Sequence, residues 1–273
     1  MSYQSIRKRR AWLIGSMVAF AAVLAPSPRV LAQSNHSETM KADAGDQPYD
    51  PRDFSGVWDP ALYMQPKNQV FVDGIGHPTD KSQLPPFTPE GQAKYDANVK
   101  FIAAGDVNSC DPYGTARNYF TPRPFEIIKA KDRLLQHFEY YDNWREIWTD
   151  GRAVPDDIDP DFMGYSTGKW DKDAFVVDSV DYNGKQFLTW QGLPLSTAMH
   201  QTERWQRIDH DTLKIYFTFD DPKMYTQPWH ITYFYKLKNW TLDAHPCTIE
   251  ELQQWDKVGH KDKLPGLDYA PQK

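Results

Sequence analysis

Apolar and polar residues alternate along this chain, interrupted at short intervals by turn signals, and nothing else in the sequence constrains its fold as much. In 213–219 the odd positions Leu213, Ile215, Phe217 and Phe219 are apolar. In 229–237 so are Trp229, Ile231, Tyr233, Tyr235 and Leu237, while Lys214, Thr218, His230, Thr232 and Lys236 occupy the opposite face. A period of two with one apolar and one wet face belongs to antiparallel strands. The segments come in pairs. Residues 134–141 and 144–149 flank Asp142-Asn143, and Lys169-Trp170 and 174–182 flank Asp171-Lys172-Asp173. Residues 200–208 and 212–219 flank Asp209-His210-Asp211, and 229–237 and 240–245 flank Lys238-Asn239. Hairpin after hairpin predicts a mainly β fold, an antiparallel meander or barrel. Gly56-Val57-Trp58 reads as its opening strand, with the indole plugging one end.

One helix is expected ahead of these hairpins. Thr88-Pro89-Glu90 offers an N-cap, a proline at the first helical position and an acid beside the positive helix end. Ala93, Ala97 and Phe101, with Tyr95 and Val99, support a helix over about 89–104, ending at Gly105. The stretch 59–87 before it is a Pro- and Gly-rich excursion.

The N-terminal segment predicts export. Arg7, Lys8, Arg9 and Arg10 precede an apolar run from Ala11 to Ala25, the length of a signal h-region rather than of a bilayer span. Val30-Leu31-Ala32 places signal cleavage after Ala32. Arg9-Arg10-Ala11-Trp12-Leu13 loosely resembles a twin-arginine signal, but an ordinary Sec signal is the preferred reading. The expected organisation is a signal peptide over 1–32, a flexible polar lead-in over 33–52 and one β-barrel domain over 53–273. The destination is the periplasm or the medium, with no membrane span after cleavage. Cleavage removes five cations and no acids, so the formal net charge moves from −6 to −11. So acidic a chain, without a basic stripe, argues against nucleic acid and anionic membranes as partners. Cys110 and Cys247 are the only cysteines, and in an oxidising compartment such a pair most often bonds. Closing that loop would stabilise by roughly 4–5 kcal/mol on the chain-entropy model. Two buried thiols are the alternative; no CxxC or His-rich spacing supports a metal.

Several segments taken together carry a resemblance. They are Phe125-Glu126-Ile127-Ile128, Trp144 to Arg152 (WREIWTDGR), Gly164-Tyr165-Ser166-x-Gly168-Lys169-Trp170 with Val176-Val177-Asp178, and His200-x-x-Glu203-Arg204. In this order they resemble a large group of secreted bacterial proteins of unassigned function, and the match covers most of the mature chain. Ala174-Phe175 departs from the Thr-Leu usual there, a packing difference. The resemblance implies a lipocalin-like barrel and brings no activity with it.

Charged residues inside strands are the candidates for chemistry. Folding 134–149 about Asp142-Asn143 sets Tyr141 opposite Trp144, Glu139 opposite Glu146 and His137 opposite Trp148. Like charges facing each other in an enclosed site would separate in pKa, leaving one acid and one base; on a wet face they would be ordinary surface. In a regular strand His200, Thr202 and Arg204 share one side, and Glu203 points with Trp205. Glu139, Arg145, His200, Glu203 and Arg204 are therefore the catalytic candidates. His137, Tyr141, Trp144, Trp148 and Tyr165 are the ligand-binding ones, since Trp and Tyr suit flat apolar ligands and also serve as barrel filler. The functional expectation is a cofactor-free barrel doing acid–base chemistry of lyase, isomerase or hydrolase type on a small, partly apolar or aromatic molecule. The alternative is a non-catalytic periplasmic protein that binds or carries such a molecule.

Overall fold

A computed structural model describes residues 48–66, 84–103, 110–243, 245–248 and 250. The signal segment, its cleavage point and most of the polar lead-in lie outside them. Nine strands close into a barrel in chain order. They are β1 (Gly56–Pro60), β2 (Phe125–Lys129), β3 (Arg133–Phe138), β4 (Asn143–Trp148), β5 (Tyr165–Asp171), β6 (Ala174–Val180), β7 (His200–Arg207), β8 (Thr212–Asp220) and β9 (Trp229–Lys238). The long hairpins are those expected: Trp205 pairs with Ile215 and Ile215 with Tyr233. Leu213, Ile215, Phe217, Phe219, Ile231, Tyr233 and Tyr235 are buried.

The meander needs one correction. Strands that alternate in direction around a ring close only when their number is even. Nine strands force one neighbouring pair to point the same way, and that pair is β4 and β5. They run parallel, held by Ile147↔Ser166 and Trp148↔Thr167 alone, after a long crossover. A second correction concerns 240–245, whose described residues form no strand with β9; His245 makes an isolated bridge to Tyr140 instead. The free edge of β9 is taken by β1, through Val57↔Lys238 to Pro60↔Tyr235. A third concerns register. Glu139 does not face Glu146: the observed pairs are Leu135↔Glu146, Gln136↔Arg145 and His137↔Trp144. The reversal occupies 139–142, where Tyr141 and Asp142 adopt left-handed backbone (φ 58° and 56°). The pairing is shifted by four residues, since His137 meets Trp144 and not Trp148, and because the step is even the side chains that remain in β3 and β4 keep their predicted faces.

The helix α1 (Pro89–Ala103) lies between β1 and β2 rather than ahead of the sheet. Thr88 caps it, its hydroxyl accepting from the Gly91 N–H at 3.0 Å. Its docking face differs from the apolar one expected, and Phe101 is exposed. The helix is held by Lys94 Nζ donating to the Leu195 and Gly184 carbonyls (2.5 and 3.1 Å) and by Asn98 donating to the Gly192 carbonyl (2.9 Å). Gly91 makes the closest approach, since a Cβ there would stand 1.9 Å from the Met224 carbonyl oxygen.

Both barrel ends are filled. At one, Trp58 donates to the Phe54 carbonyl (2.8 Å) while Arg207 lies 5.5 Å above its ring and donates to the Asp53 carbonyl. At the other, a helix without an evident sequence signal, α2 (Thr115–Tyr119), enters the lumen after Gly114, whose φ of 77° favours glycine. Tyr119 and Phe120 then pack against Phe125, Phe138, Phe217 and Phe219 in the barrel centre.

Candidate functional site

Of the five catalytic candidates, the barrel brings together two. Alternation on β4 and β7 turns Arg145 and Glu203 inward, where they are 2 % and 0 % exposed and pair at 2.8 Å. Every N–H of Arg145 has an acceptor. Nε donates to Ser166 Oγ (2.9 Å) and Nη2 to Ser179 Oγ (2.6 Å) and Glu203, while Nη1 reaches Tyr119 Oη and Gln136 Oε1 (3.3 and 3.4 Å). The Glu203 carboxylate also accepts from Gln201 Nε2 (2.7 Å), Trp205 Nε1 (2.8 Å) and the Tyr119 hydroxyl (2.9 Å). Burial opposes the Arg145 charge, but Glu203, with Tyr119 and Tyr182, outweighs it and raises the guanidinium pKa. Burial, then Glu203, pushes the Tyr119 hydroxyl well up, and burial pushes Tyr182 up to about 12. The pair belongs to the filled interior.

The other three catalytic candidates point elsewhere. His200 and Arg204 lie on the outer wall, opposite in facing to Glu203 as strand alternation requires. His200 meets Asp178 at 3.2 Å and Arg204 meets Asp171 at 3.0 Å. Glu139 sits in the β3–β4 turn beside Arg123 (3.4 Å), where burial raises its carboxyl pKa against the pull of that arginine. Among the ligand-binding candidates, His137 and Trp144 stack on the outside with centroids 4.1 Å apart, and His137 contacts Asp142. Trp148 is covered by Arg152 and Arg133, 3.5 and 4.7 Å from its ring, and Tyr165 begins β5 beside Arg152. Only Tyr141 joins an aromatic group at a barrel mouth.

That mouth was missed in the sequence. Tyr113, one residue ahead of Gly114, lies 5.0 Å from Tyr140, 4.9 Å from Tyr141 and 5.1 Å from Trp190, centroid to centroid. His245 stacks on Tyr140 at 5.5 Å. Cys110 and Cys247, standing at disulfide distance with Cα atoms 5.5 Å apart, join the two flanking segments. Inside this ring lies Arg117. A narrow cleft is walled by Tyr113, Thr115, Tyr182, Gln186, Phe187 and Gln201. Among the described residues no three His, Cys, Asp or Glu side chains gather as metal ligands, and no helix is long and apolar enough to cross a membrane.

No protein-family model matches this chain, and no curated protein does. Its surface chemistry is therefore read from geometry. His200 is a case. The hydrogen bond it donates to Asp178, opposed by burial, raises its pKa above the ordinary 6.5, and His200 in turn lowers the Asp178 carboxyl. Their pairing is complete between the two titrations. It is lost as pH rises through the raised histidine value or falls through the lowered carboxyl value. The pair is half exposed, so it contributes at most about 1 kcal/mol. An NMR titration should place the His200 midpoint above 6.5, and Asp178→Asn should return it toward that value; an unmoved midpoint would disprove the pairing.

Proposed function

We propose that this protein is an exported, lipocalin-like barrel that binds or carries a small, partly aromatic molecule at its mouth. One observation favours binding over catalysis. The two charged candidates that meet, Arg145 and Glu203, are 2 % and 0 % exposed, and all five N–H groups of Arg145 already have acceptors. A reactant has no path to them. Partly exposed aromatic surface lies instead at Tyr140, Tyr141 and Trp190, packed on the buried Tyr113 ring, the mix of apolar area and polar tips that suits a small ligand. The cysteine pair and the N-terminal pattern support the exported address.

Acid–base catalysis retains one support, Glu139 at the edge of the same mouth, whose carboxyl burial holds toward neutrality. The two readings separate by experiment. Indole, benzamide and benzoate are titrated into the oxidised protein while tryptophan fluorescence and Tm are followed. Binding predicts that at least one probe quenches saturably and raises Tm, and that Trp190→Leu removes both effects. No response to any of the three would reject a mouth site. Turnover that disappears in Glu139→Gln at unchanged Tm would favour catalysis instead.

A further inference from the structure

Among the described residues two arginines are buried, and the barrel treats them in opposite ways. Arg145 has a carboxylate and an acceptor for each N–H. Arg117 is only 6 % exposed, and among the described residues its side chain makes no hydrogen bond or ion pair. Its guanidinium is sandwiched between the Tyr113 ring at 3.8 Å and the Trp190 ring at 4.1 Å, with Phe187 at 5.5 Å. Its Nε is buried without a partner. Burial opposes its charge, and only the hydroxyls of Tyr113, Tyr140 and Tyr141 favour it.

Stacking on both faces recovers part of the lost hydration through cation–π attraction, but it gives the N–H groups nothing to donate to. Those groups lie in the guanidinium plane, so a partner can reach them only along the edge. Other polar groups nearby are also unmatched: Gln186 Oε1 in the cleft wall, and both amide atoms of Gln191 beside Trp190, are buried without partners. Such groups are rare in native interiors, and a concentration of them points to a bound polar molecule.

We infer that Arg117 is an anion-binding residue, and that the mouth takes the carboxylate of a small aromatic acid. This rests on the binding reading above and adds the charge of the ligand. A carboxylate fits better than a phosphate. A planar two-oxygen group matches the edge of one planar fork, whereas a tetrahedral dianion calls for several donors from different directions. The guanidinium already fills the space between Tyr113 and Trp190, so the acid's ring would lie outside that sandwich.

The test compares benzoate with its neutral isostere benzamide and with inorganic phosphate, by calorimetry on the oxidised protein at constant ionic strength. Benzoate should bind at least tenfold tighter than benzamide and raise Tm, and phosphate should do neither. Arg117→Lys keeps the charge but loses the fork, and should weaken benzoate at least tenfold. Arg117→Met should abolish the preference for benzoate, and its Tm without benzoate should hold or rise, because no unpaired cation is then buried. Equal binding of benzoate and benzamide, lost in Trp190→Leu, would overturn the anion inference and leave the binding reading standing. No binding by either would overturn both. Phosphate binding tighter than benzoate would overturn the carboxylate assignment. If Arg117 were only a structural plug, Arg117→Met would lower Tm and the wild type would show no preference for benzoate; the wild-type comparison decides this even if the variant does not fold.

Discussion

Replacing Arg145 by methionine should destabilise the barrel by about 3–5 kcal/mol, because it leaves the Glu203 carboxylate buried without its counter-charge. For a domain of this size that is a fall in Tm on the order of 10 °C. The hydrogen bonds from Gln201, Trp205 and Tyr119 remain, and they soften the loss without cancelling it. Adding Glu203→Leu to the same chain should restore much of the stability, since a buried ion pair exchanged for apolar groups of similar volume is often neutral. Urea unfolding of the wild type, both single variants and the double variant measures this directly. A cost below about 1 kcal/mol for Arg145→Met would mean that water reaches the carboxylate.

Loss of the Cys110–Cys247 bridge should cost a comparable amount. The two residues are 137 apart in sequence, and closing a loop of that length is worth up to about 5 kcal/mol on the chain-entropy model, with about 2–4 typical of measured bridges. The paired Cys110→Ser, Cys247→Ser variant, compared with the oxidised wild type by chemical denaturation, gives the figure. Two alkylatable thiols in the untreated protein would sink the expectation. The bridge lies close to the mouth, three residues before Tyr113 and two after His245, so the variant should also bind its mouth ligand more weakly.

The sequence was most legible where one strand face is wet. On β8 and β9, apolar residues at every second position mark the inner face without ambiguity; on β7 both faces are polar apart from Trp205, and simple alternation places Glu203 on the Trp205 side. Between β3 and β4 the pattern identified the faces but not the register. Tyr141 as well as Asp142 adopts left-handed backbone, which suits an aspartate but is not announced by a tyrosine, and the chain reverses over four residues instead of two. Outward-facing Trp144 and Trp148 look like ligand surface in a sequence, yet His137, Arg133 and Arg152 cover them. The mouth was illegible for a different reason. Tyr113, Arg117, Tyr140 and Trp190 come from four separate stretches, and α2 is too short to show a period. Arg117 carries no mark of its own; only its surroundings distinguish it from a surface arginine.

The contact between β1 and β9 has a consequence for how the molecule is made. A chain synthesised from its N-terminus produces the Gly56–Pro60 strand early, and the partner that covers its outer edge, Trp229–Lys238, almost last. Until then one edge of the growing sheet has no neighbour, and such an edge is a template for pairing with other chains. Closing the ring joins segments separated by most of the domain, which places this barrel among slow folders. β1 spans only five residues and carries Asp59 and Pro60 at its end, and a short edge with a charge and a proline offers little to a stray strand. The same residues that open the barrel thus guard it against aggregation while it waits for its last strand.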